Sequence, residues 1–281
     1  MRNYLRLLRV KHYIKNLLIF LPLVFSKNLL NWEALHSCLL GFLTFSLSSS
    51  TIYILNDLAD VEKDRMHPVK KNRPIASGAV TPRSAVICGV ICLAAGASFQ
   101  LLAGQLLSAF CILLYIALNI TYSFYFKERA FSDIIILVSG FFLRVIYGAM
   151  LAGVSISAWL YLTIIAASFY LALGKRRNEL KQTNGKTRKV LQYYSYEFLD
   201  KNMYMCMAIA NVFYSLWAMD GNGKMLPTAP VVLLLSMRYS YNIEKEDSQG
   251  DPVDVITHDK AILFAAMVYA LYVLLVLYVL P

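Results

Sequence analysis

Asn56-Asp57-Leu58-Ala59-Asp60-Val61-Glu62-Lys63-Asp64 closes a long apolar run, Leu39 to Leu55, and is where this greasy chain gathers negative charge. A basic, proline-broken stretch follows at once, Arg65-Met66-His67-Pro68-Val69-Lys70-Lys71-Asn72-Arg73-Pro74. If the helix begun in the apolar run continues through the acids, Asp57, Asp60 and Asp64 fall at i, i+3 and i+7 on one face, with Asn56 four residues before Asp60. Three carboxylates on one stripe repel one another by tenths of a kcal/mol per neighbouring pair, so a positive charge is expected between them. Oxygen-only ligands on a partly open site favour Mg²⁺, which keeps several waters and commonly binds one or two carboxylates together with substrate phosphates. A solvated charged turn after a membrane helix is the plainer alternative.

The surrounding composition sets that stretch in a bilayer. Of 281 residues 58% are hydrophobic and only 16% charged, far from the roughly 25% charged of a soluble domain. A net charge of +10 could indicate nucleic acid, but the cations lie between apolar runs and form no recognition helix, so no nucleic-acid partner is expected. The five cysteines all lie within apolar segments without C-x-x-C spacing and read as small buried hydrophobes. Arg2 to Lys15 before Leu17 to Phe25 imitates a secretory signal, but the small-x-small cleavage pattern is missing and eight further apolar segments follow. It reads as a retained first span.

Windows of about 20 residues, enough to cross roughly 30 Å of hydrocarbon, predict nine spans near 14–30, 33–56, 83–103, 105–126, 131–152, 157–175, 201–219, 225–243 and 259–280. The predicted fold class is therefore all-α, a polytopic nine-helix membrane bundle. Connections on the side of the N-terminus hold 23 of the 27 lysines and arginines, which orients the N-terminus to the cytoplasm and the C-terminus outside. The acids, the basic run and the long connection from Lys175 to Lys201 all open on the cytoplasmic face. A transporter would carry polar groups at mid-membrane depth and access from both sides, whereas here they gather at one end.

Several further groups reach that end. Lys71 and Arg73 present a point charge and a planar donor fork to phosphate oxygens, the layout expected around a diphosphate leaving group. Lys15 and Asn16 begin the first span, and Tyr122 and Lys127 end the fourth; for Lys15, snorkelling to lipid headgroups is an equal alternative. Asp133 and Arg144 are ionised groups in or beside the fifth span, three turns apart and about 16 Å along the helix, too far to pair. Lys175 and Glu179 stand at i, i+4 beside Arg176, a cluster able to take a second phosphate and orient sugar hydroxyls, or simply a helix salt bridge at a positive-inside end. Glu244 to Asp259 is a second acidic concentration around Pro252, read as a solvated loop with Asp251 or Asp254 as candidates to help close the site.

Asn56-Asp57-x-x-Asp60-x-x-x-Asp64 running into Arg73-Pro74-Ile75-Ala76-Ser77-Gly78 resembles the UbiA-like intramembrane prenyltransferase superfamily. Arg9-Val10-Lys11-His12-Tyr13-Ile14-Lys15-Asn16, Tyr122 to Lys127, Asp133 through Ser139-Gly140-Phe141 to Arg144, and Gly174-Lys175-Arg176-x-x-Glu179-Leu180 are similar to its decaprenyl-phosphate phosphoribosyltransferase branch. The resemblance implies one integral-membrane catalytic domain over 1–281, in the inner (cytoplasmic) membrane, with Mg²⁺ as cofactor. It implies transfer of 5-phosphoribosyl from phosphoribosyl pyrophosphate to a polyprenyl phosphate. Asn56, Asp57, Asp60 and Asp64 would hold the metal, the three aspartates as the catalytic set. Lys71, Arg73, Tyr122, Lys127, Lys175, Arg176 and Glu179 would bind the donor, and Lys15, Asn16 and Arg144 the acceptor phosphate.

One departure matters. Superfamily members that use polyprenyl diphosphates carry a second aspartate-rich motif after span six, whereas here Lys175-Arg176-Arg177-Asn178-Glu179 stands in its place. Cations there suit a metal-free sugar phosphate. Prenyl transfer onto an aromatic acceptor and a non-catalytic carrier of anionic lipids stay as alternatives, and the oligomeric state, a homo-oligomer included, stays open.

Overall fold

A computed structural model describes residues 2–66, 70–183, 189–220, 223–245 and 251–280. Among these the chain is all-helical, with no strand. In order it forms α1 (Arg2–Leu7), a 3₁₀ run (Val10–Phe20), α2 (Leu21–Phe25), α3 (Trp32–Ala59), α4 (Val61–Met66), α5 (Pro82–Leu102), α6 (Ala109–Thr121) and a π-helical turn (Tyr122–Phe126). There follow α7 (Ser132–Ala152), α8 (Ala158–Thr183), α9 (Tyr196–Met219), α10 (Ala229–Glu244), α11 (Pro252–His258) and α12 (Lys260–Leu274), which ends in a second π turn. The chain divides into two compact units, Met1–Phe124 with Leu143–Ser155, and Tyr125–Phe142 with Ile156–Pro281.

Local chemistry sets the helix starts. Asn31, Thr81, Ser195, Asp251 and Asp259 each accept a backbone amide from the first turn of α3, α5, α9, α11 and α12, satisfying donors that the helix itself leaves orphaned. Pro82 and Pro252 sit just inside their helices, where a missing amide costs nothing. Among the described residues six helical segments, against the nine spans expected, are long and apolar enough to cross a membrane: Trp32–Ala59, Pro82–Leu102, Leu106–Phe126, Ser132–Ala152, Ala158–Thr183 and Lys260–Val279.

The structure departs from the sequence expectation in three places. The predicted first span, 14–30, is a 3₁₀ run that starts at Val10 and gives way to the short α2 around Pro22, whose missing amide cannot continue the hydrogen-bond ladder. Helix α8 runs on past residue 175 to Thr183, because Glu179, Leu180 and Lys181 are strong helix formers and hydropathy, not backbone preference, ended the window. The acidic connection after α10 is not all loop: Asp251 caps α11, while Glu246 and Asp247 lie outside the described residues.

In the first unit the 3₁₀ run lies against α3, fixed by side-chain bonds at regular intervals. Arg9 pairs with Asp57, Tyr13 Oη meets Ser50 Oγ at 2.8 Å, and Asn16 Nδ2 donates to Ser46 Oγ at 2.9 Å. Beyond these, Ile19, Phe45, Tyr115, Leu143 and Tyr147 form an apolar core with Leu151. Gly148 allows the run to approach α7: a Cβ there would lie 1.9 Å from the carbonyl oxygen of Ile19. In the second unit the core gathers Ile134, Tyr170, Leu191, Leu199, Met203 and Ile243.

Candidate active site

The acidic stretch folds nearly as its spacing predicts. Helix α3 stops at Ala59, and Asp60 departs from helical geometry (φ −99°, ψ 9°), yet Asp60 N still bonds Asn56 O and Asp64 N bonds Asp60 O as α4 takes over. Asp57 and Asp64 are consequently both buried and both turned onto one group: Arg73 Nη1 lies 3.1 Å from Asp57 Oδ1 and 2.7 Å from Asp64 Oδ2. Arg9 Nη2 reaches the same Asp57 oxygen at 2.6 Å, its guanidinium 4.7 Å from the centre of the Tyr53 ring. The positive charge expected between the acids is supplied by the chain itself.

Arg73 is held there by its loop. Ser77 N bonds Arg73 O, Val80 N bonds Pro74 O, and Gly78 takes a left-handed turn (φ 77°) that a side chain would strain. The turn presses Ile75 and Val80 into a cluster with Leu7, Ile54 and Ala85. Lys71 stays exposed on the same loop. On the other flank Asn56 Oδ1 accepts from Ser123 Oγ at 2.5 Å, in the π turn that begins at Tyr122. Such turns are often found at functional sites.

Asn16 and Arg144, expected together, are together. Arg144 Nε donates to Asn16 Oδ1 at 2.7 Å, with its guanidinium against the faces of Phe45 and Tyr115 at 4.5 and 5.2 Å. Asn16 is anchored to Ser46, 11 residues before Asp57 on the same helix, so this buried cation lies about 16 Å along α3 from the acids. Lys15 is half-buried on the intervening run.

In the second unit the basic end of α8 carries ion pairs that the i, i+4 spacing does not give. Lys175 Nζ binds Asp251 Oδ2 at 2.7 Å, and Glu179 Oε2 binds Arg176 at 2.6 Å. Arg176, 2% exposed, also pairs with the fully buried Asp133 at 2.5 Å. Tyr194 Oη donates to Asp133 Oδ1 at 2.9 Å and accepts from Phe131 N. Burial, with Asp133 alongside, pushes that phenol up to about 12, so it remains a hydroxyl and keeps donating. Arg177, 3% exposed, is clamped by Asp200 at 2.6 Å and Glu244 at 3.1 Å. Of this cluster Lys175 is the cation within reach of a ligand, and Arg176 holds the helix. Lys127 follows the π turn at half burial.

Sequence reasoning missed Arg9, counted there among the topogenic N-terminal charges. The signal was present in the i, i+4, i+7 spacing of Arg9, Tyr13 and Asn16, the three residues that bond α3. It also missed Tyr194 as the partner of Asp133.

The donor set is oxygen-only and suits a hard divalent cation. Two buried carboxylates already gather around one positive group, with the Asn56 amide beside them. Among the described residues no three His, Cys, Asp or Glu side chains come close enough to hold a metal by themselves. These residues therefore fit Mg²⁺ shared with substrate phosphates rather than a closed protein cage.

An all-helical membrane fold with this acidic rim defines a class, the intramembrane transferases. The chain belongs to the UbiA prenyltransferase family, whose model matches residues 19–254. It is 30% identical over 291 residues to the decaprenyl-phosphate phosphoribosyltransferase of Corynebacterium glutamicum, covering 99% of this chain and 87% of that protein. It is likewise 30% identical over 288 residues to the protein of that name in Mycolicibacterium smegmatis, covering 94% and 89%. The fold superposes on a UbiA homologue of Archaeoglobus fulgidus solved with GPP and Mg²⁺, with TM-score 0.74, 18% identity and coverage of 99% and 100%.

Proposed function

We propose that this protein transfers the 5-phosphoribosyl group from phosphoribosyl pyrophosphate to a polyprenyl phosphate, in the cytoplasmic membrane, as a nine-span domain over residues 1–281. The N-terminus and the active site face the cytoplasm and the C-terminus lies outside. The observation that carries this is the end of α8, where Lys175, Arg176 and Arg177 each pair with an acid and Lys175 is the partly exposed one of the three. Such an end suits a single phosphate monoester, not a second metal-bound diphosphate. The near full-length relatives that bear the phosphoribosyltransferase name support the same donor and acceptor.

Asp57 and Asp64, with Asn56 and Asp60, would hold Mg²⁺ on the donor diphosphate. When bound, the ion would supply charge neutralisation to the departing pyrophosphate, an effect worth several kcal/mol in the barrier. Arg73 and Lys71 bind the diphosphate oxygens, and Tyr122 and Lys127 are further donor-binding residues. Lys175 takes the ribose 5-phosphate, while Arg176 and Glu179 act at one remove by fixing the α8 end. Arg144, steadied by Asn16, takes the acceptor phosphate together with Lys15. About 16 Å along α3 separates that cation from the acids. The acceptor phosphate is already an anionic nucleophile, so its oxygen forms the bond to the anomeric carbon as the bond to pyrophosphate breaks, with no general base required.

The test is pyrophosphate release by purified protein. Release should require Mg²⁺, phosphoribosyl pyrophosphate and polyprenyl phosphate together. Release from polyprenyl diphosphate with an aromatic acid, and none with the sugar donor, would instead make it a prenyltransferase. No turnover of either pair would leave a carrier of anionic lipids.

A further inference from the structure

The two buried aspartates of the first unit are neutralised by arginines from two different segments of chain, and the arrangement is crowded at one atom. Asp57 Oδ1 accepts from Arg9 at 2.6 Å and from Arg73 at 3.1 Å. A carboxylate oxygen has few acceptor directions, so a divalent cation reaching that oxygen displaces one guanidinium. Arg73 is the less able to leave, because it also holds Asp64 at 2.7 Å and its loop is anchored through Ile75 and Val80.

Arg9 is built to move. Asp57 is its ion-pair partner, its side chain is 24% exposed, and the Tyr53 face beneath it gives the guanidinium a surface to slide on. Its backbone sits in the left-handed region (φ 52°, ψ 46°), at the joint between α1 and the 3₁₀ run. A non-glycine residue pays for that conformation and keeps it only where its surroundings demand it. Holding the Arg9 side chain over Asp57 is what the strained joint accomplishes.

We propose that Arg9 is a placeholder cation, which neutralises Asp57 while no divalent ion is bound and passes to the diphosphate oxygens of the donor when the metal enters. One guanidinium is thus counter-ion first to the acid and then to the leaving group. This rests on the assignment of Asp57 and Asp64 to a metal–diphosphate complex. It adds a residue of the 3₁₀ segment to the donor site and makes metal and donor binding cooperative, because the donor gives the displaced arginine a new partner.

The experiment is a Mn²⁺ titration of the full-length protein in lipid nanodiscs without donor, read by loss of the free-ion paramagnetic resonance signal. Arg9→Gly removes the cation and suits the left-handed backbone, which favours a folded variant. It should bind Mn²⁺ more tightly than the unaltered protein, by about fivefold or more, while the KM for phosphoribosyl pyrophosphate rises. Arg9→Lys, which restores the charge, should return Mn²⁺ affinity toward the original value. A residue that merely supports the fold would weaken both ligands on removal. Unchanged or weakened Mn²⁺ binding in Arg9→Gly, with its thermal unfolding intact, overturns the proposal. Should Arg9→Gly unfold, Arg9→Gln in the same titration decides by the same criterion. Tighter Mn²⁺ binding in a protein that turns over no sugar donor would keep the placeholder and remove the phosphoribosyl reading.

Discussion

At the scale of single residues, the buried charges divide into those that meet a ligand and those that hold the protein. In the proposed function Asp57 belongs to the first group: it is 3% exposed and shared by two arginines, and Asn in its place keeps the volume while removing the charge proposed to bind the metal. Asp57→Asn should lower turnover at least about a hundredfold while leaving the unfolding temperature within a few degrees, as pyrophosphate release and a detergent melt would measure. Asp133 belongs to the second group. Its carboxylate is fully buried against Arg176 and Tyr194, and removal of one partner of a buried pair costs roughly 3–5 kcal/mol. Asp133→Ala should therefore lower the melting temperature sharply, and Asp133→Ala with Arg176→Leu should recover part of the loss. An unaltered melt in the single variant would refute the structural role.

Elements carry the next level, and here what the sequence makes legible can be separated from what it hides. Hydropathy places helices α3, α5 and α7 to within a few residues, because each is bounded by a capping residue or an abrupt change to charge. The meeting of Asp57 and Asp64 on one side is likewise legible from their i, i+7 spacing, whereas the break at Asp60 is not. Partner choice is not legible: Lys175 takes Asp251, 76 residues away, a contact set by how α11 is capped. The 3₁₀ character of Val10–Phe20 is hidden too, since it follows from tight seating on α3 and α7 rather than from its own residue preferences. That seating depends on Gly148, so Gly148→Ala must push the run away from α7. The variant should lose about 1–3 kcal/mol of stability and show a raised KM for the lipid acceptor, because Asn16 and Arg144 part. Equal KM and stability would place the close approach elsewhere.

Asp259 joins two elements of the second unit. It caps α12 and accepts from Asn242 and Arg238 of α10, and the Asn242 hydrogen bond, followed by Arg238 and the capping amides, holds its carboxyl well below the usual range. Its folded pKa is depressed, so its contribution is complete above the unfolded value of about 3.9 and is lost as pH falls from there toward the folded value. Asp259→Asn should be less stable than the unaltered protein at pH 7, with the difference closing below about pH 4. A difference independent of pH in acid melts would mean the ionised form is not what joins α10 to α12.

Across the whole molecule the ionised groups are distributed unevenly. Acids with arginine partners mark one unit, and a cation-rich helix end marks the other, where a second acidic motif would be needed for a diphosphate-bearing lipid donor. The bilayer explains why the sequence is so readable at this level: a span of about 20 apolar residues crosses it as a helix, and uncompensated charge within it is expensive, so each ionised group in or beside a span stands out. The direct measurement of the central claim is mass spectrometry of the lipid recovered after incubating the purified protein with Mg²⁺, phosphoribosyl pyrophosphate and polyprenyl phosphate. The account predicts a lipid heavier than the acceptor by one phosphoribosyl unit, formed by the unaltered protein and not by Asp57→Asn. An unmodified lipid with every donor concentration tried, or equal product from Asp57→Asn, would contradict it.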